Sequence, residues 1–179
     1  MPEIEIRSAT SEDVDSLIAF EHGYYSEYVW QMSMDLETER VHTEFKRIRL
    51  PRRVFVPYPR KRNDIFRDYK QVEALLIAVL NGRSVGYIKV KAENNARIAR
   101  VTDLVVSASV RQHGIASGLI LSVMDLAAHR DFHTLILEMQ SKNDPAIKMA
   151  NKLGFNFCGF RDHYFPNHEM AMFFSRFAR

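Results

Sequence analysis

The sequence predicts an α/β fold in one domain spanning residues 1–179, with a mixed, mostly antiparallel central sheet and helices on both faces. Three observations carry this reading. Residues 72–106 hold three successive apolar or β-branched runs separated by turn signals. Thr102 to Ala128 then reads as strand, tight loop and helix: Leu104-Val105-Val106 is apolar and β-branched, and from Ile115 the apolar residues Leu119, Val123, Leu126 and Ala127 fall at helical spacing. A further strand, His133 to Met139, follows that helix and is therefore expected to lie parallel to the strand before it.

Bulk properties bound the function. A chain of 179 residues, 46% apolar and 26% charged, suits one globular domain with a sizeable core and excludes a disordered or low-complexity chain. The single cysteine, Cys158, excludes an internal disulfide and fits a reducing compartment. The start MPEIEIRSAT has no basic region leading into an apolar run, and no run reaches bilayer length. A soluble cytoplasmic protein without a membrane partner is the expectation. His129 with His133, and His163 with His168, lack ligand spacing, so no metal is expected.

In chain order, Ile4 and Ile6 alternate with charge, as in a strand with one wet face. Thr10 and Asp13 resemble a capping box ahead of Val14, Leu17 and Ile18. Ser33, with Asp35 and Glu37 after it and Lys46, Arg47 and Arg49 near the far end, predicts a second helix that Pro51 stops. Residues 51–70, with three prolines, read as an irregular surface loop or an active-site flap. Asn81-Gly82 signals a hairpin and Asn94-Asn95 a second turn. Asn143 or Asp144 caps the next helix, Pro145 suits its first turn and Gly154 ends it. Phe157 to Tyr164 and Glu169 to Phe177 form a last hairpin, with sheet order following the chain.

The loop Arg111-Gln112-His113-Gly114-Ile115-Ala116 places backbone N–H groups from Gln112 to Ser117 at a helix N-terminus, where the dipole favours an anion, and Gly114 lets a ligand approach closely. The ending of a P-loop and the GxGxxG of a dinucleotide site are both missing. The string Arg111-x-x-Gly114-x-Ala116 resembles the pyrophosphate loop of the GNAT superfamily of N-acetyltransferases. A second block, Leu137-Glu138 through Asn143, Ala146 and Leu153-Gly154-Phe155, is similar to that family's next strand and helix. Together the likeness covers roughly residues 72–177. It implies the acyl-CoA N-acyltransferase fold and acetyl-coenzyme A as co-substrate. The two parallel strands would splay, with the pantetheine arm along Leu104, Val105 and Val106. The pyrophosphate would sit on Arg111, Gln112, His113, Gly114, Ile115, Ala116 and Ser117, and Asn143 would meet the pantetheine. The implied reaction is acetyl transfer to a primary amine by direct attack in a ternary complex.

Such a reaction needs a base for the amine and stabilisation of the departing thiolate. Glu138, in the apolar strand Leu-Ile-Leu-Glu-Met, matches the position of a glutamate base in some members; as a bare residue it could equally be a salt-bridged strand carboxylate. The family's usual acid is a tyrosine, at the position of Ala150 here. Tyr164 is the substitute, or else a core aromatic with a bonded hydroxyl. Asp103 could orient an amine or complete a hydrogen bond. Ala150 keeps open a second reading, a catalytically silent acyl-CoA-binding sensor or scaffold.

The acceptor is a small-molecule or peptide amine that fold alone does not identify. The ending Glu169–Phe174 resembles members that acetylate small molecules, including streptothricin acetyltransferases. Nine acidic residues against Arg40 between Ser11 and Phe45, with Tyr24, Tyr25 and Tyr28 among them, suggest either a wall that binds a cationic amine or rings that pack the first two helices onto the sheet beside solvated acidic faces. The ten Lys and Arg residues from Lys46 to Lys70 are too few, in a chain of net charge +3, to argue for nucleic acid. A homodimer remains open.

Overall fold

The computed structural model describes residues 4–93 and 96–178, so the turn expected at Asn94-Asn95 lies outside the described residues. In order, the elements are β1 (Ile4–Ser8), α1 (Val14–Ile18), β2 (Tyr24–Leu36), β3 (Val41–Val56), α2 (Arg62–Phe66), β4 (Ala74–Leu80), β5 (Arg83–Glu93), β6 (Ile98–Val106), α3 (Ile115–His129), β7 (Thr134–Gln140), α4 (Asp144–Lys152), β8 (Asn156–Arg161) and β9 (Ala171–Phe177). Seven strands form the main sheet in the order β1-β4-β5-β6-β7-β9-β8. Neighbours are antiparallel except β6 and β7, which are parallel as expected. Among the described residues no helix is long and apolar enough to cross a membrane.

Each face of the sheet buries a pair of helices. Leu17 of α1 and Ile65 and Phe66 of α2 pack on Leu75, Ile77, Val79 and Tyr87. On the other face, Ile115, Leu119, Ile120 and Val123 of α3 and Ile147 and Ala150 of α4 meet Ile88, Val90, Val101 and Leu135. Asn81 and Gly82, both at positive φ, make the expected tight turn between β4 and β5. Asp13 accepts from the Thr10 backbone N–H at 2.8 Å, as expected, and takes a two-pronged contact from Arg7, but it is itself the N-cap of α1 and the Thr10 hydroxyl donates to its carboxylate, so the reciprocal half of the box is missing.

Two expectations need correction. The sheet does not follow chain order at its end, because β9 lies between β7 and β8. Ala171, Met172 and Phe174 are buried and need neighbours on both sides, whereas Asn156, Phe157 and Cys158 of β8 tolerate an exposed edge. The second helix does not exist. Its residues form a two-stranded arm, β2 against β3, closed by a turn in which Glu37 and Arg40 exchange backbone hydrogen bonds. The charges at either end mimicked helix termini, but the aromatic and β-branched content of Tyr28, Val29, Trp30, Thr43, Phe45, Ile48 and Val54 favours strand. Pro51 is accommodated where pairing shifts between Ser26 opposite Val54 and Tyr28 opposite Arg49.

One face of the arm is fastened to the body. Trp30 and Phe45 pack against the main core, and Phe45 meets the rings of Phe157 and Phe160 at 5.2 Å each. Arg47 grips the buried Asp144 through Nε at 2.7 Å and Nη2 at 2.9 Å, and the Trp30 indole donates to the same carboxylate. Although burial pushes Asp144 up, Arg47 and Lys148 hold its carboxyl below the ordinary value. Arg47→Ala is expected to destabilise the fold, since the bond is charge-assisted, though by less than loss of a fully buried pair because one partner is part-exposed. That contribution is present above the unfolded carboxyl value near ~3.9 and is lost as pH falls through the lower folded value. Thermal melts of both proteins should therefore differ at neutral pH and converge toward acid.

A shift in the β5–β6 ladder positions the site. Lys89 pairs with Asp103 but Val90 pairs with Val101, which leaves Thr102 as an extra residue in β6. Such a bulge bends its strand. The β6–β7 ladder stops there, at Val101 opposite Leu137, and the two strands separate beyond it.

Candidate active site

The separation leaves the edge of Leu104, Val105 and Val106 without a β7 partner, and a cleft of about 60 Å³ opens between the strands. Leu104, Leu137, Met139, Asn143 and Met149 line it. This is the notch the sequence implied, and an extended ligand could pair with the free strand edge there. Asn143 lies at its wall, although its side chain also caps α4 by accepting from Ala146 N at 3.2 Å.

Below the notch, a short 3-10 turn at Ala108–Val110 leads into the loop before α3. Gln112 (φ 68°) and Gly114 (φ 80°) both take the left-handed conformation, and no side chain caps α3. The N–H groups of Gly114, Ile115, Ala116 and Ser117 are thus first-turn donors without intrahelical partners. A Cβ on Gly114 would touch nothing, so the glycine is required by its backbone angle rather than by crowding. Arg111 does not extend toward the helix start. Its Nε donates to Val106 O at 2.8 Å and Nη2 to Glu21 O at 2.9 Å, so it braces the loop. His113 turns Nδ1 to the carbonyl of Arg111 at 2.8 Å. The loop's backbone fits a pyrophosphate, with the helix dipole adding attraction.

The ionisable centre lies above the notch. Glu138 projects from β7, and its carboxylate is buried under two partners: Arg60 Nη2 bonds Oε1, and the Tyr164 hydroxyl donates to Oε2 at 2.7 Å. Burial pushes the Glu138 carboxyl up, against the opposing pull of Arg60 and Tyr164. Arg60 also donates to Thr102 O, the carbonyl at the bulge, at 2.8 Å and reaches Asp103 at 3.4 Å. Asp103 accepts from the buried Tyr58 hydroxyl at 2.7 Å and from Thr102 Oγ1 at 2.9 Å. One guanidinium is therefore shared by two buried carboxylates. Burial and the Glu138 bond push the Tyr164 hydroxyl up to about 12.

A second, open cleft of about 860 Å³ meets the first at Tyr58, Arg60, Thr102 and Glu138, and Tyr164 lies on its wall. Glu138 and Tyr164, far apart in sequence, are brought together as the sequence reading required. Tyr164 sits in the loop between β8 and β9 rather than on a strand. Ala150, at the position of the usual acid, is wholly buried and offers no hydroxyl.

The aromatic wall is not brought to this centre. Tyr24, Tyr25 and Tyr28 line neither cleft. Arg47 lies 3.3 Å from the Tyr28 ring centroid and Arg53 4.5 Å from that of Tyr25, so the chain's own cations cover both rings. Tyr24 spends its hydroxyl on Gln140 at 3.0 Å. These residues belong to the first strand of the arm, β2.

The family model for the acetyltransferase (GNAT) family matches residues 38–155. The chain belongs to that family. The acetyltransferase domain is similar in fold to nourseothricin acetyltransferase, with TM-score 0.84, 19% identity and coverage of 98% of this chain and 99% of that one. It is also similar to a provisionally assigned streptothricin acetyltransferase from Bacillus anthracis solved with acetyl coenzyme A (TM-score 0.77, 20% identity, 98% and 99% covered). Among curated proteins, N-acetylaspartate synthetase of Homo sapiens is 28% identical over 88 residues, 49% of this chain. That match spans only 29% of the curated relative's length. The notch and the loop just described both lie within or directly beside the segment that matches the family model.

Proposed function

We propose that Glu138 is the general base for acetyl transfer to a primary amine and that Tyr164 connects it to the open cleft. The observation that carries this is the position of the Glu138–Tyr164 pair where the two clefts meet. Acetyl-coenzyme A supplies an acetyl group activated as a thioester. Leu104–Val106 would hold its pantetheine arm and Gln112–Ser117 its pyrophosphate, leaving the open cleft to the acceptor.

Both Glu138 oxygens are engaged, so a proton from the acceptor amine reaches the carboxylate through Tyr164: the phenol oxygen receives it as the phenol proton passes to Oε2. The raised affinity of Glu138 for protons suits that step at near-neutral pH. The reverse motion returns a proton through Tyr164 to the leaving sulfur. Tyr164 thus serves as a relay, because a hydroxyl already giving its proton to Glu138 is not a free acid. The amine attacks directly, in a ternary complex.

The acceptor is a small-molecule or peptide amine. Coenzyme A release measured with a panel of primary amines tests the reading: acceptor-dependent release supports it, and acetyl-coenzyme A binding with no release for any amine would favour a silent binder instead.

A further inference from the structure

We infer that the arm pairs two copies of this chain, the tip of each arm lying on the base of the other. The inference stands apart from the acetyl-transfer chemistry and from the two clefts. Among the described residues, six of the nine large apolar side chains that are exposed lie on the arm, so the exposed apolar surface is concentrated there. Exposure of this kind marks an interaction site. Side chains alternate across a ribbon, so Trp30, Met34 and Leu36 of β2 share a face with Arg47, Thr43 and Val41 opposite them. Near the base that face rests on the body through Trp30 and Phe45. Toward the tip it runs on into solvent, with Leu36 73% and Val41 64% exposed. The base offers apolar surface on its opposite face. Ile48 and Val29 alternate with Arg47 and Trp30 and so point away from the body. Beside them Tyr25 and Phe55, with ring centroids 5.3 Å apart, stay about half exposed.

Charge sets the direction. At the tip Glu37 pairs with Arg40 and, farther down, Glu44 with Lys46, which leaves the carboxylates of Asp35 and Glu39, with His42 at 3.8 Å from Asp35. At the base Arg47 is taken by Asp144, which leaves Arg49, Arg52 and Arg53 against Glu27. Arg53 lies over the Tyr25 ring. From the Leu36–Val41 pair to the Tyr28–Arg49 pair the ribbon runs eight residues, about 26 Å at ~3.3 Å each, so the acidic and basic ends are well separated. A second copy is the occupant that matches this pattern. In a twofold, antiparallel arrangement the acidic, apolar tip of each arm meets the basic, apolar base of the other, and the two contacts are identical. Tip-on-tip or base-on-base pairing would set like charges together. Burial of Leu36, Val41 and the base rings supplies the affinity, and exposed ion pairs add direction more than strength.

Sedimentation velocity over a range of micromolar concentrations tests this. The wild type is expected to sediment as a dimer. Three double variants should each weaken the dimer at least tenfold: Leu36→Thr with Val41→Thr, which removes the apolar tip, Asp35→Lys with Glu39→Lys, which reverses its charge, and Arg52→Glu with Arg53→Glu, which reverses the base. Mixed in equal amounts, the two charge-reversed proteins should associate again, because each then meets complementary charge at both ends. All six side chains are exposed, and an unchanged circular dichroism spectrum shows each variant folded. A wild type that stays monomeric, a dimer that any one of the three variants leaves unweakened, or a mixture no more associated than its parts would overturn the inference.

Discussion

Replacing Glu138 by Gln is expected to lower kcat by about 10²–10⁴-fold while the affinity for acetyl-coenzyme A holds. Glutamine keeps the shape of the site: its carbonyl can accept from Arg60 and its amide can face the Tyr164 oxygen. It cannot take a proton. The wild-type kcat should rise with pH through the Glu138 value, which burial sets above the ordinary carboxyl value of ~4.3. That acid limb should vanish in the variant. Tyr164→Phe should lose part of the same rate with the limb retained, since the base remains and the freed Oε2 can take the proton through water instead of the phenol. A Glu138→Gln enzyme with wild-type kcat would move the proton transfer to another group.

The second large effect is expected from Arg60→Ala. Its guanidinium is the shared partner of Asp103 and Glu138, both of them buried. Removal leaves two neighbouring carboxylates uncompensated, which for a fully buried pair costs ~3–5 kcal/mol. Arg60 keeps some contact with water, so about 2–4 kcal/mol at neutral pH is the expectation. The pH dependence has a definite sign. Arg60 pulls the Glu138 value down, so its loss raises that value further above the unfolded one. A carboxyl with a raised folded value weakens the fold when ionised, and the deficit should shrink as pH falls through that value. Denaturant melts at several pH values measure this. The acid limb of kcat should move to higher pH in the same variant, and Arg60→Lys should restore part of both effects. A deficit that grows toward acid would contradict the shared-cation arrangement.

The strand edge of the notch and the Gly114 loop were legible in the sequence because their signals are local. A β-branched run, a glycine needed at φ 80° and an apolar helical stripe follow one another from Leu104 to Ala127, and each keeps its meaning in isolation. The cluster around Arg60 was not legible in the same way. Arg60 meets Asp103 across 43 residues and Glu138 across 78, and nothing in a proline-flanked Tyr-Pro-Arg marks it as their partner. The one available hint was the segment's alternative reading as an active-site flap. Thr102 looked like an ordinary strand residue, although as the bulge it ends the β6–β7 ladder and frees the carbonyl that Arg60 binds. The arm was misread because its terminal charges obeyed helix-end rules while its interior followed strand preferences. Packing of Trp30 and Phe45 on the core settles the conflict.

The claim on which the rest depends is that acetyl-coenzyme A occupies the notch with its pyrophosphate on the Gly114 loop. Calorimetric titration of acetyl-coenzyme A into the wild type and into Gly114→Val tests it most directly. A β-branched residue is a poor fit to left-handed backbone, so valine must distort the loop and its array of N–H groups, yet its Cβ meets no protein atom within 4 Å. The expected result is saturable one-site binding to the wild type, and affinity weakened at least a hundredfold in a variant whose circular dichroism is unchanged. Equal affinity in the two proteins would contradict the assignment of the loop and, with it, the placement of the acetyl group beside Glu138.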